Sequence, residues 1–104
     1  MMLTGKQKRY LRSLAMTQKP LINVGKNGVS ETFIDGVKAA LEAREMIKIS
    51  LLPATEDTPK SVGEALQEAI PGMDIAQTIG RSLVVYKRAF DPENRKLSAE
   101  LAKL

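Results

Sequence analysis

The sequence contains no cysteine and no histidine among its 104 residues. Without cysteine there are no disulfides, no thiolate metal ligands and no cysteine nucleophile. Without histidine the commonest general base and the commonest zinc ligand are also missing. No apolar run approaches the roughly 20 residues that a membrane span needs, and the charged N-terminus does not resemble a signal peptide. We therefore expect a single cytoplasmic domain with no cofactor, no metal and no membrane partner.

The formal net charge of +4 conceals an uneven distribution of charge along the chain. Residues 1–28 carry six basic residues and no acidic one. Residues 29–74 carry four basic and nine acidic residues, and residues 75–104 carry six basic and three acidic residues. If the two ends of the chain meet in space, they form a cationic face that suits nucleic acid. The alternative is a solvated helix face without a partner.

The first predicted helix, residues 4–16, separates apolar from basic side chains. Thr4 and Gln7 have the spacing of a capping box, in which each side chain accepts the other residue's backbone N–H. At about 100° per residue, one arc of the helix is apolar and consists of Leu3, Tyr10, Leu11, Leu14 and Ala15. The opposite arc is purely basic and consists of Lys6, Lys8, Arg9 and Arg12. The first arc is expected to pack against the domain, and the second is free to contact phosphates.

Periodicity and turn residues predict the remaining elements. They are a strand at 21–24, a helix capped by Ser30, a strand at 46–52, a helix capped by Thr58, and strands at 75–79 and 83–87. The last two strands form a hairpin through Gly80 and Arg81. The order α-β-α-β-α-β-β predicts a mixed four-stranded sheet with helices packed on it, an α/β (α+β) fold. The polar tail after Phe90 allows a short helix at 98–104.

The stretch "VGKNGVS" lies between a predicted strand and a predicted helix. Gly25 and Gly28 allow a ligand to approach the backbone closely, Lys26 adds a charge, and Asn27 adds amide donors. Because N–H groups at a helix N-terminus favour anions, the loop suits a phosphate. The loop is neither a dinucleotide fingerprint nor a P-loop, and Glu31 in the first helical turn counts against phosphate. A plain strand-to-helix turn is the alternative.

Three motifs in this order and spacing resemble the CRM domain family (chloroplast RNA splicing and ribosome maturation). They are "VGKNGVS" after the basic first helix, "MIKISLL" and "IGRSLVVYKR". The likeness is greatest to the stand-alone bacterial, YhbY-like members and covers residues 3–88. It implies a CRM-like RNA-binding domain at 1–88, followed by a polar tail at 89–104. It also implies a fold that resembles the C-terminal domain of bacterial translation initiation factor three.

The resemblance further implies a function in binding RNA. In the family, a GxxG loop is the proposed RNA contact, by likeness to KH domains, and the basic first helix is implicated too. The stand-alone members associate with precursors of the large ribosomal subunit, which implies ribosomal RNA as the partner. We expect a monomer without enzymatic activity or a small-molecule substrate. The predicted RNA-binding residues are Gly25, Lys26, Asn27, Gly28, Lys6, Lys8, Arg9, Arg12, Lys19, Arg81, Lys87 and Arg88.

Two other functions stay open from the residues alone. A small basic domain with a phosphate-binding loop, an Asn and several Arg could hydrolyse acyl phosphates in the manner of an acylphosphatase, because that chemistry requires neither His nor Cys. The chain could also be a protein-interaction module that docks on ribosomal proteins. Aromatic candidates for stacking on RNA bases are Tyr10 and Phe33, which we assign to the core, and Tyr86, which could face either way.

Overall fold

The structure, a computed structural model, describes residues 3–104. In chain order its elements are α1 (Gly5–Ala15), β1 (Ile22–Val24), α2 (Glu31–Arg44), β2 (Met46–Leu51), α3 (Pro59–Ala69), β3 (Asp74–Ile79), β4 (Ser82–Tyr86), a 3₁₀ turn (Pro92–Asn94) and α4 (Lys96–Leu101). The predicted fold class and the predicted order of the first seven elements are confirmed. The strand bounds agree with the prediction to within one residue.

The N-termini of the first three helices are capped by side chains that lie next to them in sequence. The Thr4 hydroxyl accepts the Gln7 N–H at 3.1 Å, and the Gln7 side chain accepts the Thr4 N–H at 3.0 Å. The Ser30 hydroxyl caps α2 by accepting the N–H of its third residue at 3.1 Å. Thr58 forms a second capping box with Ser61 at the start of α3. These caps satisfy N–H groups that would otherwise lack partners, which explains why the helices start where the sequence predicts.

The four strands form one mixed sheet in the order β1-β2-β4-β3. β1 and β2 are parallel, whereas β4 runs antiparallel to both β2 and β3. One end of the sheet therefore carries the loop after β1, residues 25–28, and the hairpin turn at Gly80 and Arg81; we call it the loop end. The opposite end carries the starts of β2 and β3 and the end of β4. We call it the tail end, because residues 89–104 pack there.

Helices cover both faces of the sheet and divide the core in two. The larger cluster lies under α2 and α3 and includes Ile47, Ile49 and Leu51, which share one face of β2 as predicted. The smaller cluster lies under α1 and α4 and includes Leu11, Met46, Val84, Tyr86 and Leu101. Tyr86 is thus a buried residue and does not face solvent.

The tail is fastened to the domain, and its helix lies two residues earlier than the predicted start at 98. Glu45 follows α2 in the left-handed conformation at φ 66° and is fully buried. Its carboxylate accepts the N–H of Ala89 at 2.8 Å and the N–H of Ser98 at 2.9 Å. The Gln7 amide donates to the carbonyl of Leu101 at 3.2 Å. The first helix and the tail therefore meet, and Leu101 is buried at this contact.

Candidate nucleic-acid interface

The loop after β1 is a tight turn that holds two polar side chains outward. The N–H of Gly28 donates to the carbonyl of Gly25 at 3.0 Å and closes the turn. Gly28 has φ 62°, in the left-handed region that favours glycine. Lys26 and Asn27, between the two glycines, are exposed. The geometry fixes the backbone of the turn and leaves a cation and an amide free to contact a ligand.

An open groove of about 380 Å³ runs beside this turn. The lining residues come from β1, the turn and the first turns of α2, and include Ile22, Asn23, Lys26, Asn27, Ser30 and Thr32. The first intrahelical bond of α2 runs from the Ile34 N–H to the Ser30 carbonyl. The N–H groups of Glu31 and Thr32 therefore lie at the start of the helix, where partial positive charge attracts anions.

Two acidic side chains lie near the loop. Glu31 is exposed in the first turn of α2 and opposes the attraction of an anion to that helix end. Asp57 lies against Gly28: a Cβ atom built on Gly28 would be 2.7 Å from the Asp57 Oδ2 atom. Asp57 accepts hydrogen bonds from the hydroxyls of Thr55 and Ser61, at 3.4 and 3.3 Å. Position 28 therefore favours glycine because of its backbone conformation, and a Cβ atom there would also displace the Asp57 carboxylate.

The basic arc of α1 is exposed as predicted for a surface that contacts phosphates. Its four cations are Lys6, Lys8, Arg9 and Arg12, all of them exposed. The opposite side of the helix is buried and includes Gln7, Leu11 and Ala15.

At the start of β3, burial raises the pKa of the Asp74 carboxyl above its ordinary value, and the positive charge of Lys8 opposes that shift.

The remaining predicted cations are divided between the two ends of the sheet. Arg81 belongs to the loop end, and its guanidinium donates to the carbonyls of Leu51 and Leu52 at 3.3 and 2.9 Å. It therefore ties the hairpin turn to the end of β2, beside the loop after β1. Lys87 and Arg88 follow β4 at the tail end, and Lys19 is exposed in the connection from α1 to β1. The structure does not bring these three to the loop.

A family model described as the CRS1 / YhbY (CRM) domain matches residues 3–87. The chain belongs to the CRM family. The match spans α1 through β4, so it includes the glycine-flanked loop and the basic helix. The resemblance found in the three sequence motifs is thereby confirmed.

Curated relatives and one solved structure extend this comparison along nearly the whole chain. YqeI of Bacillus subtilis, described as a probable RNA-binding protein, is 45% identical over 96 residues, which are 92% of this chain and 97% of that protein. A Haemophilus influenzae protein named as an RNA-binding protein is 32% identical over 82% of this chain and 85% of its own length. The solution structure of SAV1595 from Staphylococcus aureus superposes with a TM-score of 0.71 at 42% identity, and the match covers 88% of this chain and 94% of that one.

In this CRM domain the two aromatic side chains that the sequence assigns to the core, Tyr10 and Phe33, both pack against it. Tyr10 is half-buried, and its hydroxyl donates to the Glu100 carboxylate, which raises the pKa of Tyr10. Phe33 is half-buried against the core, as predicted. Phe90, which the sequence reasoning overlooked as a stacking candidate, is 85% exposed. Its signal in the sequence is its place just after Lys87 and Arg88, at the start of a polar segment.

Neither a metal site nor a membrane span emerges from residues 3–104. No group of three or more carboxylate side chains in this part of the chain could hold a metal ion. Within the same residues, every helix is too short or too polar to cross a membrane.

Proposed function

We propose that this CRM domain binds RNA and that its glycine-flanked loop holds the RNA backbone. The observation that carries the proposal is the turn from Gly25 to Gly28, which presents Lys26 and Asn27 beside the groove at the start of α2. A phosphate in this groove would accept hydrogen bonds from the backbone N–H groups at the start of α2 and would form an ion pair with Lys26. The names of the relatives from Bacillus subtilis and Haemophilus influenzae support an RNA ligand.

The basic arc of α1 supplies the second set of contacts in this proposal. Exposed lysine and arginine side chains neutralise phosphates, and such contacts give affinity and orientation without reading sequence. Arg81 is committed in part to the carbonyls of Leu51 and Leu52, so its main role is to position the loop end. Lys19, Lys87 and Arg88 would contact RNA only where the bound strand continues towards the tail end.

We further propose that the bound RNA is ribosomal and belongs to precursors of the large subunit, as the likeness to the stand-alone bacterial family members implies. The protein would act in the cytoplasm as a monomer and without catalysis. The acylphosphatase alternative is tested by incubating the protein with acetyl phosphate. We expect no hydrolysis above the rate of the buffer alone, and protein-dependent hydrolysis that Lys26→Ala abolishes would instead establish an enzyme.

The loop is tested by measuring RNA affinity at several salt concentrations for Lys26→Ala. If Lys26 neutralises one phosphate, the slope of log affinity against log salt should shrink by about 0.7–0.9. Lys103→Ala is the matched control, since Lys103 is an exposed lysine in the tail, outside the proposed contacts. The proposed contact between the loop and RNA is contradicted if Lys26→Ala and Lys103→Ala both give the same slope as the parent protein.

The ribosomal assignment is tested by sedimentation of cell extracts at low salt. We expect the protein to co-sediment with large-subunit precursors and to be released when the extract is treated with ribonuclease. Release by ribonuclease separates RNA binding from docking on ribosomal proteins. Sedimentation at the top of the gradient in untreated extracts would contradict the ribosomal role, and retention after ribonuclease would favour docking on protein.

A further inference from the structure

A cavity of about 420 Å³ lies at the tail end, on the far side of β1 from the glycine-flanked loop. Five segments line it: the last turn of α1, the connection from α1 to β1, the end of α2, the start of β2, and α4. Its apolar part is formed by Leu14, Met46 and Leu97, all of which belong to the core cluster under α1 and α4 or pack against it. The cavity is large enough for a small organic ligand.

Three cations surround this apolar surface: Lys19, Arg44 and Lys48. Among the described residues that line the cavity, none is acidic. Arg44 and Lys48 are two of the four basic residues in the segment 29–74, which carries nine acidic residues. Lys48 is half-buried in the sheet. The fold therefore gathers cations from an acidic segment and from the basic N-terminal segment around one cavity, which favours an anion with an apolar or aromatic part.

The edge strand β1 connects this cavity to the groove beside the loop. β1 is the outer strand of the sheet on this side. Leu21, just before β1, lines the cavity, whereas Ile22, Asn23 and Gly25 line the groove. From Leu21 to Gly25 the chain spans about 13 Å at roughly 3.3 Å per residue. The cavity lies beside α1 and α4 on one face of the sheet, and the groove lies beside α2 on the other face, so the two meet at the edge that β1 forms.

We propose that the cavity is a nucleotide subsite for the same single RNA strand that the loop holds. One phosphate of the strand would pair with Lys19, Arg44 and Lys48, and the adjoining base would lie on the side chains of Leu14 and Leu97. Base contact with apolar side chains and phosphate contact with cations are the two means by which single-stranded RNA is bound. The inference rests on the proposed RNA-binding function and adds the path of the strand, which follows β1 from the loop end to the tail end and passes over the edge of the sheet from one face to the other.

The test uses two variants of the full chain and one matched control. Lys19→Gln combined with Lys48→Gln removes two charges from the cavity, and Gln18→Glu adds a negative charge at its rim with almost no change of shape. Lys38→Gln removes one charge from the exposed surface of α2, away from the cavity. Arg44 is left unchanged because a cation in the last turn of α2 also stabilises that helix.

The measurement is an NMR titration of isotope-labelled protein with a short single-stranded RNA and, separately, with adenosine monophosphate. We expect RNA to shift the backbone amides of Leu21 and Lys48 together with those of Lys26 and Asn27. We expect adenosine monophosphate to shift the cavity amides only at much higher concentration, since the loop then adds no second contact. The double variant should weaken RNA binding about tenfold at moderate salt, and the Gln18→Glu variant should weaken it in the same direction.

Three outcomes separate this subsite from the proposed function. RNA that shifts the loop amides and leaves those of Leu21 and Lys48 unmoved overturns the subsite but not RNA binding. RNA that shifts neither set and also leaves the amides of α1 unmoved overturns both the subsite and RNA binding. Adenosine monophosphate that saturates the cavity at a lower concentration than RNA overturns the assignment to RNA. If the double variant unfolds, the test rests on the isosteric Gln18→Glu variant. The subsite is overturned if Gln18→Glu binds RNA with the same affinity as the control variant Lys38→Gln.

Discussion

The two ends of the sheet use polar side chains in opposite ways. At the tail end, Glu42 and Glu45 reach across to the backbone N–H groups of residues 89, 90, 91 and 98 and hold the tail in place. At the loop end, Lys26 and Asn27 extend from a turn that is closed by a single backbone hydrogen bond. The two carboxylates at the tail end thus stabilise the fold, whereas the two side chains of the turn at the loop end are left exposed for a ligand.

This difference separates polar residues that stabilise the fold from those that recognise a partner. A buried carboxylate such as that of Glu45 is stable only because backbone donors surround it, and removing it leaves those donors without partners. An exposed lysine such as Lys26 contributes little to stability, so its replacement is expected to change binding alone. The comparison therefore predicts the largest effects on stability for the two carboxylates at the tail end, and effects on binding for the exposed side chains of Lys26 and Asn27 at the loop end.

The largest effect on stability is expected for Glu45→Ala. Glu45 is fully buried, so the change leaves the N–H groups of Ala89 and Ser98 unpaired inside the protein. We expect a loss of about 3–5 kcal/mol in the free energy of unfolding. Glu45→Gln is the matched control, because an amide keeps the shape and one acceptor oxygen and should lose less. Urea denaturation measures both variants. A loss below about 1 kcal/mol for Glu45→Ala would show that the carboxylate does not hold the tail.

A smaller effect is expected for Gly28→Ala at the loop end. A Cβ atom at φ 62° is strained and meets the Asp57 carboxylate, which must move. We expect a loss of about 1–2 kcal/mol in the free energy of unfolding. Gly28→Asn separates the two causes, because Asn tolerates the left-handed conformation but still carries a Cβ. Equal losses in the two variants would assign the cost to contact with Asp57, and a loss only for Ala would assign it to the backbone.

The elements that the sequence predicts correctly are those with local causes. The capping box of Thr4 and Gln7 joins residues three apart, and the alternation of Ile47 and Ile49 lies within one strand. The loop at residues 25–28 is likewise recognisable, because its glycines and its flanking elements are contiguous in sequence. Local propensity and periodicity are sufficient where the interacting residues are neighbours.

The features that the sequence does not reveal depend on distant contacts. Glu45 and Ala89 are 44 residues apart, and nothing in the polar segment around Glu45 indicates a buried side chain. Tyr86 is buried because the helices on that face cover it, which alternation along β4 cannot reveal. The cavity around Lys19 and Lys48 combines five segments of the chain. Such arrangements follow from the tertiary packing and not from any single stretch.

A third prediction concerns acid and the Glu42 carboxylate at the tail end. Bonds from the N–H groups of Asp91 and Phe90 lower the pKa of Glu42 below its ordinary value of 4.5, and Asn94 and Lys87 add to the effect. Because the folded pKa is the lower one, the stability that Glu42 contributes is present above pH 4.5 and is lost as the pH falls through the folded pKa.

The measurement is the melting temperature of the parent and of Glu42→Gln from about pH 7 down into this acid range. Other carboxyl groups also titrate there, so the difference between the two proteins is the informative quantity. We expect the parent to be the more stable at neutral pH and the difference to shrink in acid. A difference that is constant across the range would show that ionised Glu42 does not hold the tail.

The smallest effect on stability is expected for the basic arc of α1, which takes no part in the hydrogen bonds that fasten the tail. Changing Lys8, Arg9 and Arg12 together to Gln alters only exposed side chains, so the free energy of unfolding should change by about 0.5 kcal/mol or less. RNA affinity should fall for many sequences alike, and the salt slope should shrink by up to about 0.7–0.9 for each phosphate that the arc no longer neutralises. Lys103→Gln controls for removal of a charge elsewhere. A steep fall in melting temperature would mean that the arc stabilises the fold, and unchanged affinity in a stable variant would restrict the RNA-binding surface to the loop and the groove beside it.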